Sequence, residues 1–572
     1  MPFIWILAFS ILISNSLFDK PTDKNLFISP LKIPIALSSY FGELRVDHFH
    51  SGIDIKTQGV VGKEVVAAAD GYVYRISVSP GGFGNALYIR HASGYSTVYG
   101  HLQSFTPAIK EYVTNLQYEQ KSFLVTLYPS KEKFVVKQGD IIGYSGNSGS
   151  SGGPHLHYEI RKTESEIPVN PLLFNFNFED KIKPVIERLA IYPLTENTFI
   201  NNQNKEKFIT VAGGNGNYIV PLENEIRISG SVGFGIKTYD LVNENWNRAN
   251  VYYIELTVDS ITYFKYTMND FSFTEVKYVN SHVDYKTWVK DKITYERTFV
   301  LPNDKLGNYS ELKNRGVFNF NDGKTHIIKI IVSDINKNTS ALAFTVKPAR
   351  VTNIKKPIEK EDNSTLMPYN KINKFVTNDI KLTIPAGALY DTIHFEYKKT
   401  VGSKYLLADI HQIQNKYTPV QTNYSLSIKP TKIPPGKESK LFIVQLTDDL
   451  NQTYAGGRFE DGFVVANLTT FGSFSVGIDT VPPEIRMNFA SGTDFSQKSD
   501  LKVFITDSFS GIKSYTGTID GKWALLEYDA KNNQLSYKFD SKRLTKGIIH
   551  NLIIKITDSK DNINIKETTF KW

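Results

Sequence analysis

The sequence predicts a mostly β protein assembled from several modules. Its 572 residues correspond to about three to five domains at ~100–200 residues each. Short runs of β-branched and aromatic residues, bounded by Gly, Pro, Asn and Asp, recur from one end to the other. Helical periodicity is nearly absent, apart from a weak stretch near residues 108–116. With 41% apolar and 22% charged residues, the composition is that of folded protein rather than disorder.

The first segment reads as an export signal. Residues 3–13 form an almost unbroken apolar run, too short to cross a bilayer and right for the core of a signal peptide. Ser14-Asn15-Ser16 gives a small-x-small cleavage pattern, so residues 1–16 are assigned as the signal. The start, Met1-Pro2, departs from the pattern in having no Lys or Arg. The mature chain is expected to have no membrane span and to reside in the periplasm, the cell envelope or outside the cell. There is no cysteine, which excludes disulfides, thiolate catalysis, Cys-ligated zinc and iron–sulfur clusters. The formal charge of +8 comes from 66 basic and 58 acidic residues spread along the chain. Without clustering this is no nucleic-acid footprint, and no nucleic-acid partner is expected.

Residues 26–178 form a block rich in Gly and His, with strand-like runs at 65–69, 73–78, 86–90 and 96–99. After Pro171 the composition shifts to Asn, Lys, Tyr, Ile and Thr, and strand-like runs recur at 225–229, 251–259, 325–332, 380–384, 439–446, 501–506 and 551–556. These runs divide into a β-sandwich module over 182–348, a linker over 349–374, a β-rich module over 375–478 and a last sandwich over 481–572. The Pro482-Pro483 pair marks the final boundary, because paired prolines cannot continue a central strand. This last block resembles bacterial immunoglobulin-like modules in its Pro-Pro entry and its Ser510-Gly511-Ile512 turn.

Three echoes link the first and last sandwiches: Pro184-Val185-Ile186-Glu187 with Pro483-Glu484-Ile485, Gly235-Ile236-Lys237 with Gly511-Ile512-Lys513, and Asp334 with Asn338 against Asp558 with Asn562. They occur in the same order, which predicts two copies of one sandwich type, the first enlarged by insertions.

The chemistry is concentrated in the first block. Six of the 11 histidines lie between His48 and His157, where chance would put about two. Five sit in three motifs: His48-Phe49-His50-Ser51-Gly52-Ile53-Asp54, Tyr99-Gly100-His101-Leu102, and a Gly/Ser run from Gly143 that ends in His155-Leu156-His157. Residues two apart on a strand share a face, so His155 and His157 project together, as a metal edge or as a ligand and a base. His50 and Asp54 flank a Gly-containing turn that lets imidazole and carboxylate converge on one ion. Two imidazoles, one carboxylate and an open fourth position suit catalytic zinc and are poor for calcium. Gly149-x-Ser151-x-Gly153 is not a serine-nucleophile elbow, since no helix follows Pro154. A helix-borne His-Glu-x-x-His zinc motif is absent.

The three motifs together resemble the lysostaphin (LytM) type of zinc metallopeptidase, whose pattern is His-x-Gly-x-Asp, Tyr-x-His-Leu, a Gly/Ser run and His-x-His. The resemblance covers roughly residues 38–172, about a quarter of the chain. It implies a LytM-like antiparallel β-sheet peptidase domain followed by two or three β-sandwich modules. It also implies one Zn²⁺ per chain held by His50, Asp54 and His157, with His101 and His155 as catalytic histidines that do not ligate. His48 and His91 match no catalytic position and are read as structural. Zinc at such a site lowers the pKa of bound water to about 7, and His155 or His101 would take its proton. The Gly and Ser residues of 143–153 would line the groove. One departure stands out: 37 residues separate His101 from Gly139, more than is usual for the family, and the extra segment around 108–133 would form a lid, a groove wall or a plain surface insertion.

The implied function is an exported zinc endopeptidase that cuts peptide cross-links of bacterial peptidoglycan, with its peptide stems as partner. The alternative is a catalytically silent protein that binds the wall or activates another wall hydrolase. Gly–Gly bridges and D-Ala–diaminopimelate links both suit the chemistry, and the Lys/Asn/Ile-rich composition leans to the second.

Overall fold

The computed structural model describes residues 25–174, 176, 180–242, 247–349 and 365–572. The assigned signal peptide, 1–16, and most of the assigned linker lie outside the described residues. The chain is mostly β, as the sequence predicts, and each strand-like run named above overlaps a strand.

The first block is built on an antiparallel sheet. Its strands are β1 (Leu37–Ser39), β2 (Ile53–Lys56), β3 (Gly71–Val78), β4 (Asn85–Arg90), β5 (Tyr95–Leu102), β6 (Val125–Leu127) and β7 (His155–Lys162). The order across the sheet is β1-β2-β7-β5-β4-β3-β6. Alternation sets the two faces. Ile53 and Ile55 of β2 and Leu156, Tyr158 and Ile160 of β7 enter the core, so Asp54, His155, His157 and Glu159 must emerge on the other side. The helix α1 (Pro107–Gln120) lies in the extra segment between His101 and Gly139. Pro107 opens it, where a missing N–H is harmless, and Ile109, Val113 and Gln117, four apart, form its buried stripe.

The next block, entered at Pro184, is a two-sheet sandwich. Its main strands are β8 (Val185–Pro193), β9 (Ile226–Ser229), β10 (Ser231–Leu241), β11 (Tyr253–Val258), β12 (Ile261–Thr267), β13 (His326–Ser333) and β14 (Thr339–Pro348). β8 pairs with β10 in one sheet, and the other runs β9-β14-β13-β11-β12 with β9 parallel to β14. One apolar core runs through both blocks. Phe41 and Phe49 of the first meet Phe271 of the second at 5.1 and 5.5 Å between ring centres. Gly42 (φ +75°) faces Met268 so closely that a Cβ would come to 2.4 Å from its Cγ.

Residues 365–479 form a third block of two five-stranded sheets with a core of its own. The last block contains β15 (Glu484–Met487), β16 (Thr493–Asp494), β17 (Asp500–Thr506), β18 (Ile512–Ile519), β19 (Lys522–Trp523), β20 (Ile549–Asp558) and β21 (Ile563–Lys571). β15 pairs with β17, and the second sheet runs β16-β21-β20-β18-β19, with β16 parallel to β21. This is the strand order of the first sandwich, parallel pair included, so the two are one design. Two of the three echoes fall on equivalent positions: the prolines open β8 and β15, and Asp334 and Asp558 close β13 and β20. The third does not. Gly235 lies within β10, whereas Gly511 precedes β18, the counterpart of β11. A Gly-Ile-Lys run suits several strands alike, which is why that match misled.

Candidate metal centre

The polar face of the first sheet gathers five motif residues. β7 pairs with β2 so that His157 lies opposite Asp54, and with β5 so that His157 lies opposite Gly100. Gly100 leaves room for the imidazole, because a Cβ there would come within 3.3 Å of His157 Cβ. Phe83 stacks on the His157 ring at 4.8 Å. His50 enters from the turn before β2, held by its backbone N–H to the Glu43 carbonyl and by its own carbonyl to Gly42 N–H.

Three donor atoms converge there. His50 Nε2 lies 3.1 Å from Asp54 Oδ1, His157 Nδ1 lies 2.8 Å from the same oxygen, and the two nitrogens are 3.1 Å apart. All three residues are buried. Such spacings suit a small tetrahedral ion with bonds of about 2.0–2.2 Å, and the two-imidazole, one-carboxylate set is one zinc accepts.

The outer partners of these candidate ligands fix their protons. His50 Nδ1–H donates to the Tyr40 carbonyl at 2.9 Å, which leaves Nε2 bare toward the centre. His157 Nε2–H donates to Glu159 Oε1 at 3.0 Å, which frees Nδ1 in the same way. Glu159 is fully buried and is held by Arg161 Nε at 2.5 Å and by the Ser51 hydroxyl. Arg45 donates to Asp54 Oδ2 at 3.2 Å, leaving Oδ1 for the ion.

Burial alone would raise the Asp54 pKa, but hydrogen bonds from His155, His157 and His50 hold it far below the usual range. Glu159 is likewise pulled down to about 2 against its burial by Arg161, His157 and Ser51. With no ion, burial disfavours a charged His157, yet Asp54 and Glu159 raise its pKa to about 9. Burial lowers that of His50.

His155 and His101 flank this centre. His155 Nδ1–H donates to the Gly153 carbonyl at 2.8 Å, and its Nε2 stands 3.5 Å from Asp54 Oδ1. His101, at positive φ (58°) where β5 ends, donates from Nδ1 to the Ser148 carbonyl at 2.8 Å. Its ring centre is 4.8 Å from that of His155. Burial, then the neighbouring His157 and His155, push its pKa down to about 3. His101 is therefore neutral with a bare Nε2. His91 has both nitrogens engaged, by the Asp70 carbonyl and the Thr97 hydroxyl at 2.8 Å each, and His48 is exposed away from the centre.

Sequence reasoning missed Glu159, Arg45 and the Tyr40 carbonyl. Glu159 carried a signal, two residues beyond His157 on the same strand face. The other two are joined to the site only by the folded chain.

The Gly/Ser loop has a further neighbour. Lys531 of the last block donates from Nζ to the carbonyls of Asn147 and Ser151, the latter at 3.1 Å. The same block grips α1: Trp523 meets Tyr118 edge-on at 5.2 Å, Arg543 lies 4.2 Å over the Tyr118 ring, and Lys542 pairs with Glu111 at 2.9 Å. The extra segment is therefore a shelf for the last block.

Comparison with known proteins agrees with this geometry. Residues 48–118 and 120–171 match Peptidase family M23, and residues 364–479 match a Zu5-like domain. The DD-carboxypeptidase/endopeptidase Mpg of Neisseria meningitidis serogroup B is 36% identical over 150 residues, 25% of this chain and 28% of that protein. The peptidoglycan DD-endopeptidase ShyC of Vibrio cholerae serotype O1 is 36% identical over 111 residues, 19% of this chain and 20% of that protein. The chain thus spans less than a third of the length of either relative. The catalytic domain of the prophage-encoded M23 protein EnpA from Enterococcus faecalis is similar in structure, at 28% identity over 25% of this chain and 95% of that one, with a TM-score of 0.19. The chain carries a peptidase family M23 domain over residues 48–171, related to those of DD-endopeptidases.

Proposed function

We propose that this protein is an exported zinc metalloendopeptidase that hydrolyses peptide cross-links of bacterial peptidoglycan. The observation that carries the reading is the convergence of His50 Nε2, Asp54 Oδ1 and His157 Nδ1 beside the imidazoles of His155 and His101. When bound, the ion supplies Lewis-acid activation of water and of the scissile carbonyl. His155, oriented by the Gly153 carbonyl, accepts a proton from the attacking water and returns it to the leaving amine. His101, oriented by the Ser148 carbonyl and kept neutral by its low pKa, presents its bare Nε2 as a hydrogen-bond acceptor that orients the attacking water. The stem peptide lies along the Gly/Ser loop, where small side chains let an extended backbone approach. Export rests on the apolar run at residues 3–13, and a peptidoglycan substrate rests on the relatives' names.

The test is zinc stoichiometry and release of soluble fragments from intact sacculi, wild type against His155→Ala and His157→Ala. One zinc per chain is expected. His155→Ala keeps zinc and loses turnover by 10²-fold or more, whereas His157→Ala loses both. Retained release in either variant would overturn the assignment. Mass spectrometry of the fragments names the bond, for which a D-Ala–diaminopimelate link is the proposal. The contact of Lys531 with the Gly/Ser loop favours a second reading, a silent wall-binding protein or activator, and zinc retention without release under any condition would select it.

A further inference from the structure

The seam between the peptidase block and the first sandwich holds a second cluster of carboxylates. Asp180, Asp240 and Asp334 each offer an oxygen within 4.8 Å of the others, and all three are buried, at 7%, 3% and 3% exposure. They line a cavity of about 40 Å³ that is also lined by Tyr40 and Asn170 of the first block and by Asn336, room for a cation and one or two waters. None of the described residues lining it is a Lys, Arg or His. Asp240 Oδ1 is buried in the cluster and accepts no hydrogen bond among the described residues, although the carboxyl is met by the Leu241 backbone N–H, and a buried polar atom left unpaired is disfavoured. Asp334, by contrast, is fixed by Asn338, whose backbone N–H and side-chain amide reach Oδ1 and Oδ2 at 2.8 and 2.7 Å. That amide also donates to the Asp180 carbonyl at 2.9 Å and so ties the entry segment to the cluster.

The last block repeats the construction. Asp479, Asp507 and Asp558 also lie within 4.8 Å of one another. Asp180 and Asp479 stand four residues before Pro184 and Pro483, and Asp240 and Asp507 follow the β10 and β17 residues that pair with the first residue after each proline. Asn562 bridges Asp558 and the Asp479 carbonyl as Asn338 bridges its own pair, at 2.7 and 3.1 Å. One position differs. Where the first cluster has Asn336, the second has Lys560, a buried ammonium whose charge faces Asp561, Asp479 and Asp558. The second cluster has a lysine beside it, whereas no Lys or Arg is among the described residues lining the first.

We infer that Asp180, Asp240 and Asp334 form a calcium site that clamps the first sandwich to the peptidase block. All the donors are oxygens, and three carboxylates in a cavity with space for water match calcium better than zinc or copper, which favour nitrogen and sulfur. Burial, then the charges of Asp334 and Asp180, hold the Asp240 carboxyl up to about 8, so a divalent ion would displace a proton there. The site is independent of the zinc reading.

The experiment uses the full chain, stripped on a chelating resin, reloaded with one equivalent of zinc and titrated with calcium chloride by calorimetry and thermal unfolding. We expect one calcium per chain and a melting point that rises with calcium concentration. Asp240→Asn, isosteric with the protonated acid, should weaken binding at least tenfold while leaving the fold and zinc content intact. Asp334→Asn should do the same and serves if the first variant does not fold. Asp507→Asn should leave calcium binding unchanged. No heat and no thermal shift up to about 10 mM calcium, beyond the weakest extracellular sites, would overturn the site. So would equal binding in Asp240→Asn, or equal affinity for magnesium.

Discussion

His157 sits between two carboxylates, and this makes the metal-free protein sensitive to alkali. Its pKa stands at about 9 against an ordinary 6.5, so its charged form stabilises the fold. That contribution is complete below about pH 6.5 and is lost as pH rises through about 9. The zinc-free protein is therefore expected to melt at lower temperature at pH 9.5 than at pH 6.5, by an amount that His157→Ala removes, and calorimetry at the two pH values checks it. Zinc must displace this proton, so its affinity should fall about tenfold per unit below pH 9, as read by competition with a chelator. Glu159 orients His157 through Nε2, and Glu159→Gln should weaken zinc by about 10–100-fold with the ligands intact. The meeting of His50, Asp54 and His157 was legible in the sequence because three short motifs, each weak alone, occur together in order. Arg45 and Tyr40 were not, since neither has a motif and only the turn preceding β2 brings them to Asp54 and His50. Among the histidines, the structural reading of His91 follows from two satisfied ring nitrogens, which no spacing could reveal.

The Gly/Ser loop is the element on which the orientation of His101 and His155 depends. Its composition alone resembles a flexible linker, but it packs tightly. A Cβ on Gly146 would come within 2.2 Å of Gln103 N, and one on Gly149, which has φ +69°, within 2.3 Å of Gly84 N. The loop therefore lies on the β5 end and on the turn before β4, and it presents the Ser148 carbonyl to His101 and the Gly153 carbonyl to His155. Gly149→Ala should displace both acceptors, lowering turnover by about 10²-fold while zinc content stays at that of wild type. Steady-state release together with metal analysis would separate this from loss of the metal. The strands themselves were readable from β-branched runs, and β7 from its alternation, because each encodes its own period. The helix α1 was legible only as a weak pattern. Its stripe is just three residues, and its exposed face gains meaning only from Trp523 and Arg543, more than 400 residues away in sequence. The sandwich repeat was readable at Pro184 and Asp334, where turns demand particular residues, and misleading at Gly235, where a strand interior does not.

Across the whole molecule, the last block returns to the first, and its Lys531 reaches carbonyls of the Gly/Ser loop. Besides Lys531, the contacts there among the described residues include an aromatic pair, a cation over a ring, an exposed ion pair, Arg543 donating to Asn115 Oδ1 at 2.9 Å, and Tyr118 hydrogen-bonded to the Leu525 backbone and to Tyr537. Exposed pairs of this kind contribute little individually. The double variant Trp523→Ala, Arg543→Ala is thus expected to release the last block without unfolding it, because that block has its own core. Release of fragments from sacculi should rise several-fold, and more steeply for large substrates than for a short stem peptide. No rise would leave the last block as an anchor alone. None of this arrangement could be read from the sequence, where the two partners are separated by two other blocks. Its consequence is one of concentration. A block tethered to its own target meets it at an effective concentration of about millimolar. A contact far too weak to be detected between separate molecules can then keep the last block on the Gly/Ser loop most of the time. The isolated last block, added at micromolar levels to a chain lacking it, should not restore this placement, and any ligand that competes for Tyr118 or Asn147 must match the tether rather than the contact.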